Sequence, residues 1–205
     1  MGCAQCKLWL EQKVAGSITK RTLAKNARPV FKDGEEEPRA AASIFDRWDA
    51  LLATYLKPAG EPVDGVRFAA MDYKGLAGDP DFKNMLEVIA RLDVADVRRW
   101  PTNARLALYI NSYNALCAEH VCRHIRSGDG VPASVRDCGD GRKEVWDRVA
   151  GTVAGEALSL NKIEHGVIRT RWNEPRVHAC VNCASRSCPD LLTGAYVRRA
   201  DLPLM

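Results

Sequence analysis

One stretch in the middle of the chain dictates how the rest must be arranged. Trp100-Pro101-Thr102 opens a run, roughly Asn103 to Arg126, in which Leu106, Tyr109, Ile110, Tyr113, Leu116, Cys117 and Val121 recur at helical spacing. Gly128 and Gly130 then end it. This is the longest helix the sequence specifies, and the other elements are shorter.

Two further helices precede it. Ser43 and Asp46 form a capping-box-like start, and Ile44, Trp48, Leu51, Leu52 and Tyr55 follow at helical spacing until the Pro58 to Pro62 stretch ends the helix. Asp79 before Pro80 is an N-cap followed by a proline at the first helical position. Phe82, Met85, Leu86, Ile89 and Leu92 continue one apolar face. After the long helix the character changes. Residues 131–138 read as a loop or short strand, and Thr152 to Leu158 reads as a hairpin around Gly155. Asn161 with Glu164 is a second capping pattern, opening a helix to about Arg171, and Arg176 to Asn182 reads as a strand. The expected fold class is therefore α+β: N-terminal helices followed by a small antiparallel sheet with one or two short helices. A chain of 205 residues, 46% of them hydrophobic, has enough apolar surface for one core, placed at 42–205. The densest apolar run, Leu106 to Ile110, is far short of the roughly 18 residues a membrane span requires.

The net charge of +4 conceals an uneven distribution. Residues 1–30 carry six Lys and Arg against Glu11 alone, a charge of +5, while the other 175 residues sum to −1. Asp33-Gly34-Glu35-Glu36-Glu37-Pro38 reads as an acidic linker, so 1–41 is taken as a basic arm plus linker. The near-neutral remainder argues against a nucleic-acid partner. Gly2 is placed for N-myristoylation and Cys3 for palmitoylation, although Cys6 stands where the consensus has Ser or Thr. One acyl chain with a second chain or a basic patch anchors stably, and each cation near an anionic leaflet adds about 1 kcal/mol. The arm thus points to an anionic membrane surface as partner. The expected location is cytoplasmic, with membrane association through lipidation.

Chemistry-bearing residues concentrate in three places. Asn111 and Asn114 share a face of the long helix; they either pin neighbouring backbone or polarise a substrate. Asn161, His165 and Arg169 lie a turn apart, so His165 is either an oriented base or a structural donor. The densest cluster is His178, Asn182, Cys183 and Cys188. A thiolate at Cys183 or Cys188, its pKa lowered by Arg186 and loop amides, would be a nucleophile, with a histidine as base. The same segment spells His-x-Cys-x-x-Cys-x-x-x-x-Cys, a zinc-like spacing, but no metal or other cofactor is assigned. With no secretory signal, the eight cysteines are expected to be mostly reduced thiols, with Cys117, Cys122, Cys138 and Cys180 acting as inert small hydrophobes.

Four ordered blocks carry a family resemblance: Arg105 to Leu116, Ser134 to Asp137, Val153 to Arg169, and Pro175 to Pro189 followed by Ala195-Tyr196. Together they resemble the family catalogued as domain of unknown function 547 over about Ala42 to Tyr196. The positions that match are Asn111, Tyr113, Asn114, Asn161, His165, Arg169, His178, Asn182, Cys183, Ser185, Ser187, Cys188 and Pro189. Cys180 departs from the pattern, where an aliphatic residue is usual, and this favours Cys183 or Cys188 as the chemical residue. The resemblance implies a further helix or so beyond Met205, and it implies no settled activity. Beside a metal-stabilised module built on the zinc-like spacing, two functions stay open. One is a thiol-dependent hydrolase or transferase, with Cys183 or Cys188 as nucleophile, His178 or His165 as base, and Asn111, Asn114, Asn182 and Arg169 holding an unknown small-molecule or protein ligand. The other is a non-catalytic binding or scaffold module tethered to a membrane by Gly2 and Cys3.

Overall fold

The computed structural model describes residues 38–58, 69–141, 144–185 and 188–196. Helix α1 spans Arg39–Tyr55, four residues ahead of the expected start at Ser43. Arg39 and the three alanines after it are strong helix formers, and they carry the helix back to Pro38, which needs no N–H partner there. Ser43 is therefore an interior residue, and no side chain caps α1. Strand β1, Leu56–Pro58, pairs antiparallel with β2, Ala69–Met71. Strands of three residues are too short to show an alternation, and this ribbon was not expected.

Three aspartates then start three helices. Asp72 accepts from Gly75 N at the head of α2, Tyr73–Gly78. Asp79 accepts from Asp81 N at the head of α3, Pro80–Arg91, and Asp93 accepts from Ala95 N and Asp96 N at the head of α4, Val94–Arg99. Of these only α3 was expected. The long helix α5 spans Thr102–His124 and is followed by a π-helical turn, Ile125–Asp129. Gly128 and Gly130 have φ of 96° and 77°, backbone open to glycine at little cost.

From Leu106 to Cys122 every residue of α5 is buried, including Asn111, Ser112, Asn114, Glu119 and His120. This helix is the axis of the core. α1 covers it with Ile44, Phe45, Trp48 and Leu52, and Trp48 stacks on Phe82 of α3 with ring centroids 6.2 Å apart. On another side lies the expected hairpin, β3 Val149–Val153 and β4 Glu156–Ser159. Its turn residues Ala154 and Gly155 donate their N–H groups to the carbonyls of Ile89 and Ala90, at 3.0 Å each, and so satisfy the end of α3. Gly151 lies so close to α5 that a Cβ there would collide with Leu116 Cδ2.

The second half departs from the sequence reading in three places. Val135–Cys138 is a 3-10 turn closed by a capping box between Ser134 and Asp137, where a loop or short strand was expected. Asn161 is helical and caps nothing: Ser159 Oγ accepts from Lys162 N, and Asn161 Nδ2 donates to Asp147. The helix it was to open is π-helical over Lys162–Ile168 and ends as α6, Arg169–Arg171. Pro175–Ala179 is a 3-10 turn and not a strand. Pro175 sits at its first position and Glu174 accepts from Arg176 N, and these local backbone signals close the turn. The fold is α+β, its described sheets being two antiparallel ribbons of two strands each. No helix among the described residues is long and apolar enough to cross a membrane.

Candidate functional site

The described residues after the last 3-10 turn have no regular structure of their own, and side-chain amides hold them. Asn114, buried on α5, donates from Nδ2 to Cys180 O at 2.9 Å and accepts at Oδ1 from Asn182 N at 2.8 Å. Asn182 in turn accepts from Ala184 N at 2.7 Å and donates to Pro189 O at 2.6 Å. One turn earlier on α5, Asn111 Oδ1 accepts from Tyr196 N at 3.3 Å, and Asp49 of α1 accepts from Ala195 N. A single carboxamide can satisfy both a C=O and an N–H, which is why Asn suits a place where irregular backbone is pressed against a helix. Asn111 Nδ2 has no partner among the described residues.

On this pinned segment Cys183 and Cys188 are joined in a disulfide. The expectation of free thiols there is corrected accordingly: in this state neither sulfur is a thiolate. The bond closes a loop of only a few residues, so the chain-entropy gain is about 2 kcal/mol. Its two ends differ. Cys188 is buried, whereas Cys183 is only half-buried and directs its backbone N–H at Cys188 Sγ, 3.3 Å away. Arg186 and Ser187 lie outside the described residues, as do Gly2 and Cys3.

The other described cysteines, 117, 122, 138 and 180, are free and buried. Burial pushes the thiols of Cys117 and Cys122 up to about 12, and it raises those of Cys138 and Cys180 as well. They are protonated at neutral pH and poor nucleophiles. Cys180 Sγ donates to Arg176 O. Among the described residues no group of three or more His, Cys, Asp or Glu could hold a metal ion.

A second cluster forms where the π-helix meets the 3-10 turn. Arg169 Nη2 donates to Glu164 Oε1 at 2.8 Å and to His178 Nδ1 at 2.9 Å. A guanidinium can only donate, so Nδ1 must be the acceptor, and the proton of the neutral ring lies on Nε2. Nε2 is buried and has no partner among the described residues. His165 is exposed, with its Nε2 4.0 Å from Glu164 Oε1. Glu164 also lies near Tyr113 of α5, whose hydroxyl pKa is raised by burial, then by Cys117 and Glu164, against a lowering by Arg169.

The structure thus brings Arg169 to His178, and Asn114 to Asn182 beside the disulfide. Asn161 bonds Asp147 and stands outside both groups. Glu164 is the residue that sequence reasoning missed. The α-helical spacing grouped 161, 165 and 169, but a π-helix closes i to i+5, which sets Glu164 over Arg169. The five-residue spacing of an acid and a base was visible in the sequence, though the π geometry was not.

The search of curated proteins and the search of solved structures each return no match to the chain. A family model described as "Protein of unknown function, DUF547" matches residues 97–200, from within α4 to just past Tyr196. That span holds α5, the hairpin, the π-helix with Glu164 and Arg169, and the disulfide segment; it is narrower at its N-terminal side than the resemblance over 42–196. With half of its length so matched, the chain belongs to the DUF547 family.

Proposed function

We propose that the chain is a thiol-dependent enzyme, a hydrolase or transferase, whose nucleophile is Cys183 once the Cys183–Cys188 pair is reduced. The observation that carries this reading is one of access: among the described cysteines, Cys183 alone is not buried. The amides of Asn114 and Asn182 hold the backbone on either side of it, as a positioned nucleophile requires. In this reading His165, the exposed histidine beside Glu164, is the general base, because Arg169 occupies the Nδ1 lone pair of His178 and the ring proton there sits on Nε2. The test is the alkylation rate of the reduced, folded chain by a limiting electrophile at neutral pH, mapped by peptide. Cys183 should react faster than a free cysteine, and His165→Ala should slow it. A Cys183 no faster than the free amino acid refutes the enzyme.

A second reading has one observation in its favour. The described bonds of Asn111, Asn114 and Asn182 all go to main-chain partners, which suits a rigid binding module more than a site that polarises substrate. In that reading Gly2 and Cys3 are lipidated, and the basic arm tethers the module to an anionic membrane surface. A Gly2→Ala chain would then move from the membrane fraction to the supernatant. Unchanged distribution refutes the tether.

A further inference from the structure

We infer that Cys183 is a site of thiol–disulfide exchange with small thiols, and that the exchange is directional, with Cys183 attacked and Cys188 leaving. This deepens the thiol reading above and rests on it, because the exchange is what would convert the closed pair into the nucleophilic form. Three features of the pair carry the direction. Cys183 is half-buried and Cys188 buried, so an incoming sulfur reaches the first more readily. Cys183 N–H faces Cys188 Sγ at 3.3 Å, so the donor is already in place for the thiolate that forms on Cys188 when the bond breaks. The donor belongs to backbone fixed by Asn114 and Asn182 and need not be reorganised.

The electrons balance with a thiol as the only co-reactant. A thiolate attacks Cys183 Sγ and a new S–S bond forms. The Cys183–Cys188 bond breaks, and its electron pair leaves on Cys188 Sγ, which then takes a proton from solvent. A second thiolate attacks the outer sulfur of the mixed disulfide, and Cys183 departs as thiolate. Two small thiols have been oxidised to one disulfide, and the cysteine pair has gained two electrons. Leaving-group quality governs such rates, so a donor aimed at one sulfur alone makes the two directions unequal. The remaining described thiols cannot intercept the intermediate easily, since all four are buried and protonated.

The test uses the full chain in its oxidised form with reduced glutathione as the probe, quenched in acid at early times and mapped by peptide. The mixed disulfide should sit on Cys183 in preference to Cys188 by about tenfold or more. With glutathione disulfide, Cys188→Ser should take one adduct at Cys183, and Cys183→Ser should take none at Cys188 over the same period. An adduct on Cys188, an even division, or a disulfide that yields to thiol only after unfolding overturns the inference. Far-UV circular dichroism checks both variants, and if either unfolds, the wild-type map decides alone. Failure of the enzyme reading is separately visible: the reduced chain would then show ordinary alkylation at Cys183 while exchange on the oxidised chain kept its direction.

Discussion

Replacing Asn114 by Leu tests whether the α5 amide holds the cysteine segment in place. The side chain is 2% exposed and makes two main-chain bonds, one to Cys180 O and one to Asn182 N. Leucine is close in size but strands both groups against the core. A buried main-chain group left without a partner costs about 1–3 kcal/mol, so the loss is about 4 kcal/mol for the pair. At about 2–4 °C per kcal/mol for a domain of this size, the melting temperature falls by about 8–16 °C. Asn111→Leu is the internal control. It gives up one bond, to Tyr196 N at 3.3 Å, and removes an Nδ2 that already lacks a partner among the described residues, so it should cost about 1 kcal/mol or less. Urea unfolding followed by tryptophan fluorescence reads both variants, with unchanged m values confirming that the native state is compared in each case. Asn114→Leu within about 1 kcal/mol of the parent, or Asn111→Leu costing the more, refutes the reasoning.

Two further outcomes follow from the core. His120 is buried on α5 with no partner for Nε2 among the described residues, and burial, then Arg123 and Arg148, lower its pKa from 6.5 to about 4. The unfolded chain therefore takes up the proton first, so this contribution is complete above about pH 6.5 and is lost as the pH falls toward 4, about 3 kcal/mol in all. Urea midpoints measured from pH 7 to pH 4.5 should show the decline, and His120→Leu should flatten it; an equal decline in the variant contradicts the assignment. Gly151→Ala should cost about 1–3 kcal/mol because its Cβ meets Leu116, and Leu116→Ala should suppress that added cost in a double-mutant cycle. Additive losses would count against the contact.

How much of this was legible in the sequence depends on the range of the interaction. Helix α5, α3 with its Asp79-Pro80 start, and the hairpin around Gly155 rest on local signals and were readable. Helices α2 and α4 carry the same aspartate cap as α3, but with six residues each they have no apolar period to confirm it. The segment at 176–182 reads as a strand in the sequence, but Glu174 and Pro175 impose a turn, and no described strand pairs with it. The candidate residues themselves were picked out by type and clustering. Their bonds were not, because each depends on contacts far along the chain, as when Asn114 reaches Asn182 across 68 residues. The Glu164–Arg169 contact needed the π-helix, which residue identities do not announce. The pairing of Cys183 with Cys188 could not be separated from two free thiols by spacing alone.

The closed cysteine pair on a pinned backbone is the claim on which the rest depends. It is tested most directly by alkylating the folded, oxidised chain, unfolding it with a second, isotopically distinct alkylating agent, and digesting without reductant. The arrangement predicts one cross-linked peptide containing Cys183 and Cys188, with Cys117, Cys122, Cys138 and Cys180 labelled only by the second agent. Cys183 and Cys188 each labelled by the first agent, or either one bonded to another cysteine, would contradict it.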